Sequence, residues 1–540
     1  MKKSLLAAGA IACTTLLTPL PALPASSAAL AKEIDSLSRQ LDELKKQMQE
    51  LQKQQAAKDE RVATVEQKTQ ETAQKVQTVE KKEKAAEKKA SAIEISGDYR
   101  FRFDSLSGSA PAYYNFGNVL AAMQAGNAPA ITPAQNYKNN SLLTNRFGLN
   151  LKAKATEDIS VKARLLMYKG WGEETYTPSN FFADRFYSFD GNVGHLPTDN
   201  TLRVDQAYAT WSAIGGQPVW FSIGRRPSTG GIPTNLRQNI AKDSSDTAGV
   251  PGLLIDYAFD GATIGVAPDI AMLPGAYAKF CYGKGFDSGF TSSSNQLKDV
   301  NFFGINLVPY ATDNLRVELQ WDRANNIFAF PETTSATLFG YPFNNANLGN
   351  IDQFMIGASG KFDNIGPGTL NLFLSGGISK THPNSNYLSI TGVGNVAGLM
   401  DAAPGFGGSV RSVTGNAIYL GGRYDVASIG TKFGLEYNHG SKNWISFAPA
   451  SDDMWTAKQG VHGDVYEAYL IHEITSAPIS KFGKAQVRLG YQYYNFKQTG
   501  SNNWVGSPVS IGSLNNPMNA QMLTPLKDAR DVYLTFDVAF

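Results

Sequence analysis

The sequence predicts an all-β transmembrane antiparallel barrel of about 16 up-and-down strands, preceded by an α-helical coiled coil. Three observations predict this fold. A seven-residue apolar repeat runs through the first part of the chain, apolar and polar residues alternate from Ile93 onward, and short connections then alternate with long ones. The predicted boundaries are a signal peptide over residues 1–28, a periplasmic coiled coil over 29–92 and the barrel over 93–540.

The first 28 residues have the pattern of a secretory signal. Lys2 and Lys3 precede an apolar run from Leu5 to Leu17, and Ser26-Ser27-Ala28 supplies the small residues that a signal peptidase reads. The run is shorter than the roughly 20 apolar residues of a membrane-spanning helix. An alternative is a lipoprotein acylated at Cys13, although the residues before it lack the usual leucine.

Composition excludes several classes of protein. The chain has only 2 cysteines, and Cys13 leaves with the signal peptide. Cys281 then has no partner for an intrachain disulfide, and neither a cysteine-based metal site nor a Cys-x-x-Cys-His haem attachment is possible. A net charge of +2 argues against nucleic acid as a partner.

The predicted helix extends through a segment without proline, glycine or aromatic residues, rich in Ala, Lys, Glu and Gln. Its apolar residues alternate spacings of four and three, which makes a seam that only a partner helix can bury. The seam consists of Leu30, Ile34, Leu37, Leu41, Leu44, Met48, Leu51, Val62, Val65, Val76 and Val79. The alternative is a solvated single helix held by Glu–Lys pairs, because polar residues dilute the seam. The oligomer number stays open from this segment alone.

From Ile93 the period changes to two. Tyr99, Phe101 and Phe103 point to one side of the first predicted strand, and Arg100 and Arg102 point to the other. The same alternation returns after residues 147, 315, 433 and 487, with charge on the polar face each time. A soluble sheet would also alternate, but recurring charge on the inner face favours a barrel with a wet lumen.

The connections support the same architecture. Short turns are predicted at 156–158, 215–217, 260–261, 312–314, 363–366, 427–428 and 475–480. Long stretches rich in Gly, Asn, Ser and Pro are predicted at 105–141, 170–201, 227–250, 283–299, 324–350, 381–414, 440–463 and 498–526. With an even strand count, both barrel ends lie in the periplasm and the long connections face outside.

Basic residues on the polar side of these strands are candidates for lining a pore. They are Arg100, Arg102, Arg146, Lys152, Lys154, Lys162, Arg164 and Arg316. The alternative, which we favour for any single residue, is that they pair with inward carboxylates across strands and stiffen the wall.

The segment Pro227–Val250 is a candidate constriction. Arg225 and Arg226 lead into it, and it carries Arg237. We expect it to fold into the lumen and narrow the channel, with these arginines favouring anions; strand parity makes Arg226 the safer candidate. The alternative is a surface loop whose arginines bind lipid phosphates.

No catalytic constellation stands out among the five histidines, and no enzymatic activity or cofactor is expected. His462-Gly463-Asp464 resembles part of a site, but a turn histidine is the simpler interpretation. Asp452-Asp453 has the chemistry of a calcium site, although solvated loop charge is the simpler interpretation here too.

The end of the chain carries a family resemblance. The last predicted strand has apolar Phe536 and Val538 and ends on Phe540, and Trp220–Arg226 is followed closely by two glycines. Here the chain resembles the Gram-negative outer-membrane porin superfamily. The order of coiled coil and barrel is similar to an uncharacterised porin-like family. The resemblance implies that Phe536, Val538 and Phe540 form a signal for the barrel-assembly machinery, and that the protein is a homotrimer in outer-membrane lipid.

The expected function is passive diffusion of small polar solutes or ions through the lumen. Two alternatives stay open. The barrel is the sheath of an extracellular electron conduit, with a multihaem cytochrome as a separate partner, or it anchors a helix that tethers the outer membrane to the cell wall.

Overall fold

The computed structural model describes residues 31–32, 34–58, 60, 68, 92–172, 197–227, 233–240, 253–255, 257–293, 295–329, 337–338, 340–448 and 452–540. The chain divides into two units, Met1–Lys89 and Ala90–Phe540. The predicted signal peptide and the seam residues Leu30, Val62, Val65, Val76 and Val79 lie outside the described residues.

The first unit contains one described helix, α1, over residues 34–58. The described seam residues, Ile34, Leu37, Leu41, Leu44, Met48 and Leu51, have 54–64% of their surface exposed in the single chain. The helix predicted from the heptad repeat is therefore confirmed over residues 34–58, and its assembly into a coiled coil stays a prediction. Among the described residues, no helix has the length and apolarity needed to cross a membrane.

The second unit is built from antiparallel strands. In chain order they are β1 (Ile93–Ala110), β2 (Gln135–Lys154), β3 (Ile159–Gly170), β4 (Arg203–Trp211), β5 (Val219–Pro227), β6 (Ala258–Val266), β7 (Tyr277–Phe286), β8 (Val300–Ala311), β9 (Leu315–Phe328), β10 (Thr337–Leu338), β11 (Tyr341–Asn344), β12 (Asn347–Ile365), β13 (Gly368–Pro383), β14 (Leu388–Ile390), β15 (Gly394–Gly398), β16 (Asp401–Ala402), β17 (Thr414–Val426), β18 (Thr431–Gly440), β19 (Gly463–Glu473), β20 (Lys484–Phe496) and β21 (Asp528–Ala539). Two described helices, α2 (Phe116–Ala125) and α3 (Thr234–Gln238), lie in connections.

Sixteen of these strands close into one barrel, which confirms the predicted architecture and strand number. Their order is β1 to β9, β12, β13, and β17 to β21, and the remaining five strands form a small separate sheet. Every barrel strand pairs antiparallel with its neighbours along the chain, and β1 pairs with β21. We call the end with the long connections the loop end and the other the turn end.

The alternation of apolar and polar residues along each strand determines which side chains face out. On β18, Phe433 and Leu435 are 46% and 68% exposed, whereas Glu436 between β17 and β19 is 4% exposed. Apolar residues therefore cover the outer wall, and charged residues point inward, as a barrel in lipid requires.

The barrel closes where the two ends of the domain meet. The Gly97 amide donates to the Phe540 carbonyl at 2.8 Å, and the Phe540 amide donates back to Gly97 at 2.9 Å. A Cβ on Gly97 would stand 2.4 Å from the Phe540 ring. Glycine is needed there because the terminal aromatic ring lies against the backbone. We call the β1–β21 pairing the closure.

One predicted turn is wrong. Asp260 and Gly261 lie inside β6, and the turn that follows it spans residues 267–276. A Cβ on Gly261 would stand 1.9 Å from the Tyr282 carbonyl oxygen of β7. This glycine permits close strand approach, which sequence composition does not distinguish from a turn.

The long stretch predicted at 105–141 is shorter in the structure. β1 continues to Ala110 and β2 begins at Gln135, because Ser107 and Ser109 pair with Lys138 and Asn136 in the ladder. A composition rich in small polar residues therefore led to these strand ends being assigned to the connection.

Candidate functional site in the barrel lumen

The described residues of the connection between β18 and β19, 441–448 and 452–462, fold into the barrel, and we call this connection the plug loop. Trp444 and Trp455 are 0% and 2% exposed. The Gln353 side chain on β12 donates to the Ile445 carbonyl at 2.7 Å, and the Trp455 indole donates to the Arg530 carbonyl on β21 at 2.9 Å. Contacts to well-separated strands show that the described part of this loop lies in the lumen.

Asp452 of the plug loop is the centre of a buried charge cluster. Its carboxylate accepts from the Arg100 guanidinium at 2.5 Å, and Arg102, Arg146 and Arg488 lie 3.8–3.9 Å from it. Its carbonyl accepts from Arg102 at 2.8 Å. Burial alone would raise the pKa of Asp452, but Arg100, Arg146, Arg102 and Arg237 outweigh it and hold that pKa well below its usual range.

A second group of charges continues the cluster. The Arg237 guanidinium lies 2.9 Å from Asp453 and 3.5 Å from Glu467. The Lys458 ammonium, 1% exposed, contacts Glu436 of β18 and Glu467 of β19. Because each of these charges has an opposite charge beside it, the cluster is tolerated away from water. It fastens the plug loop to the inner wall.

The helix α3 lies against the same wall. The carbonyls of Leu236 and Arg237 accept from Arg423 at 2.5 Å and Arg488 at 2.8 Å, and Asn239 donates to Glu473 at 2.8 Å. These contacts place residues 233–240, the described part of the predicted constriction segment, inside the barrel. Whether the segment limits conduction stays a prediction.

Four of the predicted pore-lining residues are buried. Arg316 is one of them, and Arg100, Arg102 and Arg237 point inward with 4%, 1% and 5% of their surface exposed. Arg102 also contacts Asp104 at 2.6 Å and Asp531 at 3.1 Å. The arrangement is the carboxylate pairing that the alternative expected, and whether these side chains line a conducting path stays a prediction.

The inner wall formed by β2, β3 and β4 is more accessible than the charge cluster around Asp452. The side chains of Arg146 and Arg164 are 14% and 18% exposed. Arg164 lies 2.8 Å from Asp98 and 3.5 Å from Asp205, so part of its charge is balanced. Lys162 is half-buried on the same inner face, whereas Lys152 and Lys154 are exposed near the turn end.

Of the other predicted arginines, Arg316 and Arg225 contact residues of the barrel wall, and Arg226 stacks on aromatic rings. Arg316 is buried, contacting Glu318 at 2.6 Å and donating to the Tyr277 hydroxyl at 2.6 Å. Arg225 donates to the Asp205 carbonyl at 3.2 Å and lies 3.5 Å from Asp260. Arg226 stacks over the rings of Tyr208 and Trp220, at 5.4 and 5.6 Å.

The acidic pair and the histidine of the plug loop both hold the loop in place. Asp452 and Asp453 are 4% and 0% exposed and bind arginines, so neither solvated loop charge nor a calcium site describes them. His462 is buried, with its ring nitrogens 2.8 and 2.7 Å from the Thr499 and Trp444 carbonyls. Asp464 contacts His439 instead, at 2.8 Å.

Sequence reasoning missed the plug loop. Its signal was present, because Trp444 and Trp455 are unusual in a connection assigned to the surface, and Glu436 and Glu467 fall on the inner parity of their strands. Phe536 and Phe540, part of the predicted assembly signal with Val538, face outward with 39% and 43% of their surface exposed.

Solved porin structures are similar to this chain. Pseudomonas putida OprB at high pH has 13% identity and a TM-score of 0.40, with 84% of this chain and 96% of that chain covered. The trimer form of Vibrio cholerae OmpT has 12% identity and a TM-score of 0.38, covering 83% and 99%. The anion-selective porin from Comamonas acidovorans has 12% identity and a TM-score of 0.38, covering 83% and 99%.

No curated protein sequence matches the chain. The family model described as "Protein of unknown function (DUF3373)" matches residues 136–540, which is most of the barrel. The chain belongs to this family.

Proposed function

We propose that the protein is an outer-membrane channel for small polar solutes or ions. The observation that carries this proposal is a closed barrel with an apolar outer wall and a charged inner wall, part of which is accessible beside the plug loop. The proposal includes no enzymatic step and no cofactor.

The turn end faces the periplasm in this proposal. Sixteen strands return the chain to the side where it began, so β1 starts and β21 ends at the turn end. The helix α1 then belongs to the periplasmic side, where its exposed apolar seam is available to other copies or to a cell-wall partner.

The proposal includes a modest anion preference, which the charge of the accessible wall supports. Arg146, Lys162 and Arg164 project from β2 and β3, and Arg226 from β5, whereas Asp98 and Asp205 balance part of that charge. Fixed positive charge beside a narrow path attracts anions within a Debye length, about 10 Å at 0.1 M salt.

The test is conductance and reversal potential in a planar bilayer. In a salt gradient, the double variant Lys162→Glu and Arg226→Glu should move the reversal potential toward cation preference. The shift should shrink as salt rises, since screening shortens the reach of the introduced charge.

The matched control is Lys298→Glu, an exposed lysine in the connection between β7 and β8. It reverses a charge at the loop end and should leave the reversal potential near that of the unaltered protein. Equal shifts in both variants would contradict a path along β2–β5, and absence of any conductance would contradict the channel.

The buried plug favours a channel over a cytochrome sheath. Trp444, Phe447 and Trp455, each at most 2% exposed, occupy interior space that an inserted cytochrome needs. Co-purification of a multihaem protein with a silent barrel would reverse this preference.

A further inference from the structure

A cup of about 550 Å³ opens between three long connections at the loop end. Its walls come from α2, from residues 396–411 and from residues 496–526. This volume lies in the range of small-molecule sites, roughly 300–1,000 Å³.

Backbone hydrogen bonds between the connections hold the walls in place. The Phe116 amide donates to the Gln521 carbonyl at 2.9 Å, and the Gln521 amide donates to Tyr114 at 2.8 Å. The Met400 amide donates to the Trp504 carbonyl at 2.8 Å. The cup is therefore formed before any ligand arrives, which lowers the entropy cost of binding.

The plug loop supplies part of the floor. Thr456, 4% exposed, lines the cup, and its hydroxyl accepts from the Asn502 amide at 2.8 Å. The Tyr494 hydroxyl donates to the Thr456 carbonyl at 3.2 Å. A molecule in the cup would rest on the same loop that fills the lumen.

The described lining has no net charge. Its charged side chains are Asp401 and Arg411, which lie 3.5 Å apart. An ion would therefore find no net opposite charge in the described lining, whereas an uncharged molecule needs none.

The lining does carry groups suited to an amphipathic molecule. The Phe116 and Phe406 rings stand 5.6 Å apart, and Met123 and Met518 are 64% and 60% exposed. Thioether side chains adapt to varied apolar shapes, while the amide of Gln498 lies on the same lining.

We propose that the cup binds an uncharged amphipathic small molecule with an aromatic or alicyclic body. The apolar part packs between Phe406 and the methionines, and hydroxyl or amide groups meet the polar part of the wall. This site does not depend on whether the barrel conducts.

The test is equilibrium dialysis of the purified full chain, held in an anionic amphipol, against 4-nitrophenyl β-glucoside. The comparison probe is 4-nitrophenyl phosphate, which has the same aromatic ring and a negative charge. The glucoside should bind saturably at one site, at least tenfold more tightly than the phosphate.

The blocking variant is Gly405→Trp. Gly405 lines the cup, and a Cβ there meets no atom within 4 Å, so a side chain can be added without displacing backbone, and we expect the indole to occupy the cup. It should weaken glucoside binding at least tenfold. The matched control is Gly512→Trp. A Cβ on Gly512 meets only the Ser510 hydroxyl, at 3.8 Å, and Gly512 is not among the residues that line the cup.

The proposal would be overturned by no saturable glucoside binding, by equal binding of the phosphate, or by unchanged binding in Gly405→Trp. Loss of binding in both tryptophan variants would also overturn it, because the effect would then not come from filling the cup. Absence of conductance in a planar bilayer, together with normal glucoside binding, would contradict the proposed channel but not the proposed binding site.

Discussion

Asp452 shows how one side chain organises the inner wall. Its carboxylate and carbonyl together contact arginines that belong to β1 and α3. Removing the charge leaves Arg100 with Asp537 as its remaining counter-ion and takes the nearby carboxylate from Arg146 and Arg488, which is more costly than losing an exposed pair.

We expect Asp452→Asn to lower the free energy of unfolding by about 3–5 kcal/mol, the usual cost of breaking a buried ion pair. Urea unfolding followed by tryptophan fluorescence measures this. The control is Asp313→Asn, an exposed acid in the turn between β8 and β9, which should leave the midpoint unchanged. Equal midpoints for the two variants would show that the cluster contributes no net stability.

The pH dependence follows from the same residue. The pKa of Asp452 is lowered in the fold, so its stabilising effect is complete above its unfolded pKa of about 4 and is lost as pH falls through the folded value. The difference in free energy of unfolding between the unaltered protein and Asp452→Asn should therefore be full above about pH 4 and shrink as the pH falls below it, which urea unfolding at a series of pH values measures.

At the scale of single residues, the sequence predicts which way a side chain faces but not which residue it contacts. The period of two correctly placed Arg100 and Glu436 on the inner face. The partners of Arg100, Asp452 and Asp537, lie 352 and 437 positions away along the chain. Such pairings depend on how the barrel closes, which local pattern does not contain.

Among the elements, the plug loop most affects the proposed channel. Its neighbours β18 and β19 pair directly at their loop ends, Gly440 with Gly463, so a short turn can replace it. Replacing residues 442–461 by a short glycine linker should raise single-channel conductance several-fold, because buried tryptophans leave the lumen.

The control deletion removes residues 291–296 from the connection between β7 and β8, which lies outside the plug. It should leave conductance unchanged. Heat-modifiable migration in gel electrophoresis checks that both variants still form barrels. A folded plug deletion with unaltered conductance would mean that the loop lies beside the path and not across it.

The plug also shows why connections were harder to predict than strands. A strand in lipid must expose apolar residues at every second position, so its pattern is fixed by its surroundings. A connection rich in glycine, serine and asparagine is compatible with water or with a polar lumen. Only the two tryptophans of the plug loop, Trp444 and Trp455, distinguished these cases.

At the scale of the whole molecule, we expect the exposed apolar seam of α1 to be buried by packing against the same helix of other copies of the chain. Leu37 and Leu44 are 60% and 63% exposed in the single chain. We expect the full protein to form a trimer, as the resemblance implies, with the helices packed along this seam.

Light scattering on the isolated segment of residues 29–92 should give a multimer, and Leu37→Asp with Leu44→Asp should give a monomer. Arg39→Asp with Lys46→Asp, on positions outside the seam, is the matched control and should keep the multimer. A monomeric unaltered segment at tens of micromolar would refute this assembly, and a dimer would refute the trimer.

Sequence pattern predicted the number of strands and their direction because lipid imposes one rule on all sixteen. It misplaced the turn at Asp260-Gly261, since glycine serves close strand approach as well as turns. It did not reveal the filled interior, because that arrangement joins the plug loop to α3 and β1, which lie more than 200 positions away along the chain.

The closure has a consequence for the order of folding. Arg100 and Arg102 of β1 contact both the plug loop and Asp531 or Asp537 of β21, the last strand made. These contacts join the most distant parts of the sequence, and such topologies fold slowly because loop closure precedes the stabilising contact. The full set of contacts cannot form until β21 docks, so a nascent barrel without its final strand should remain an open sheet with its charged loop in water.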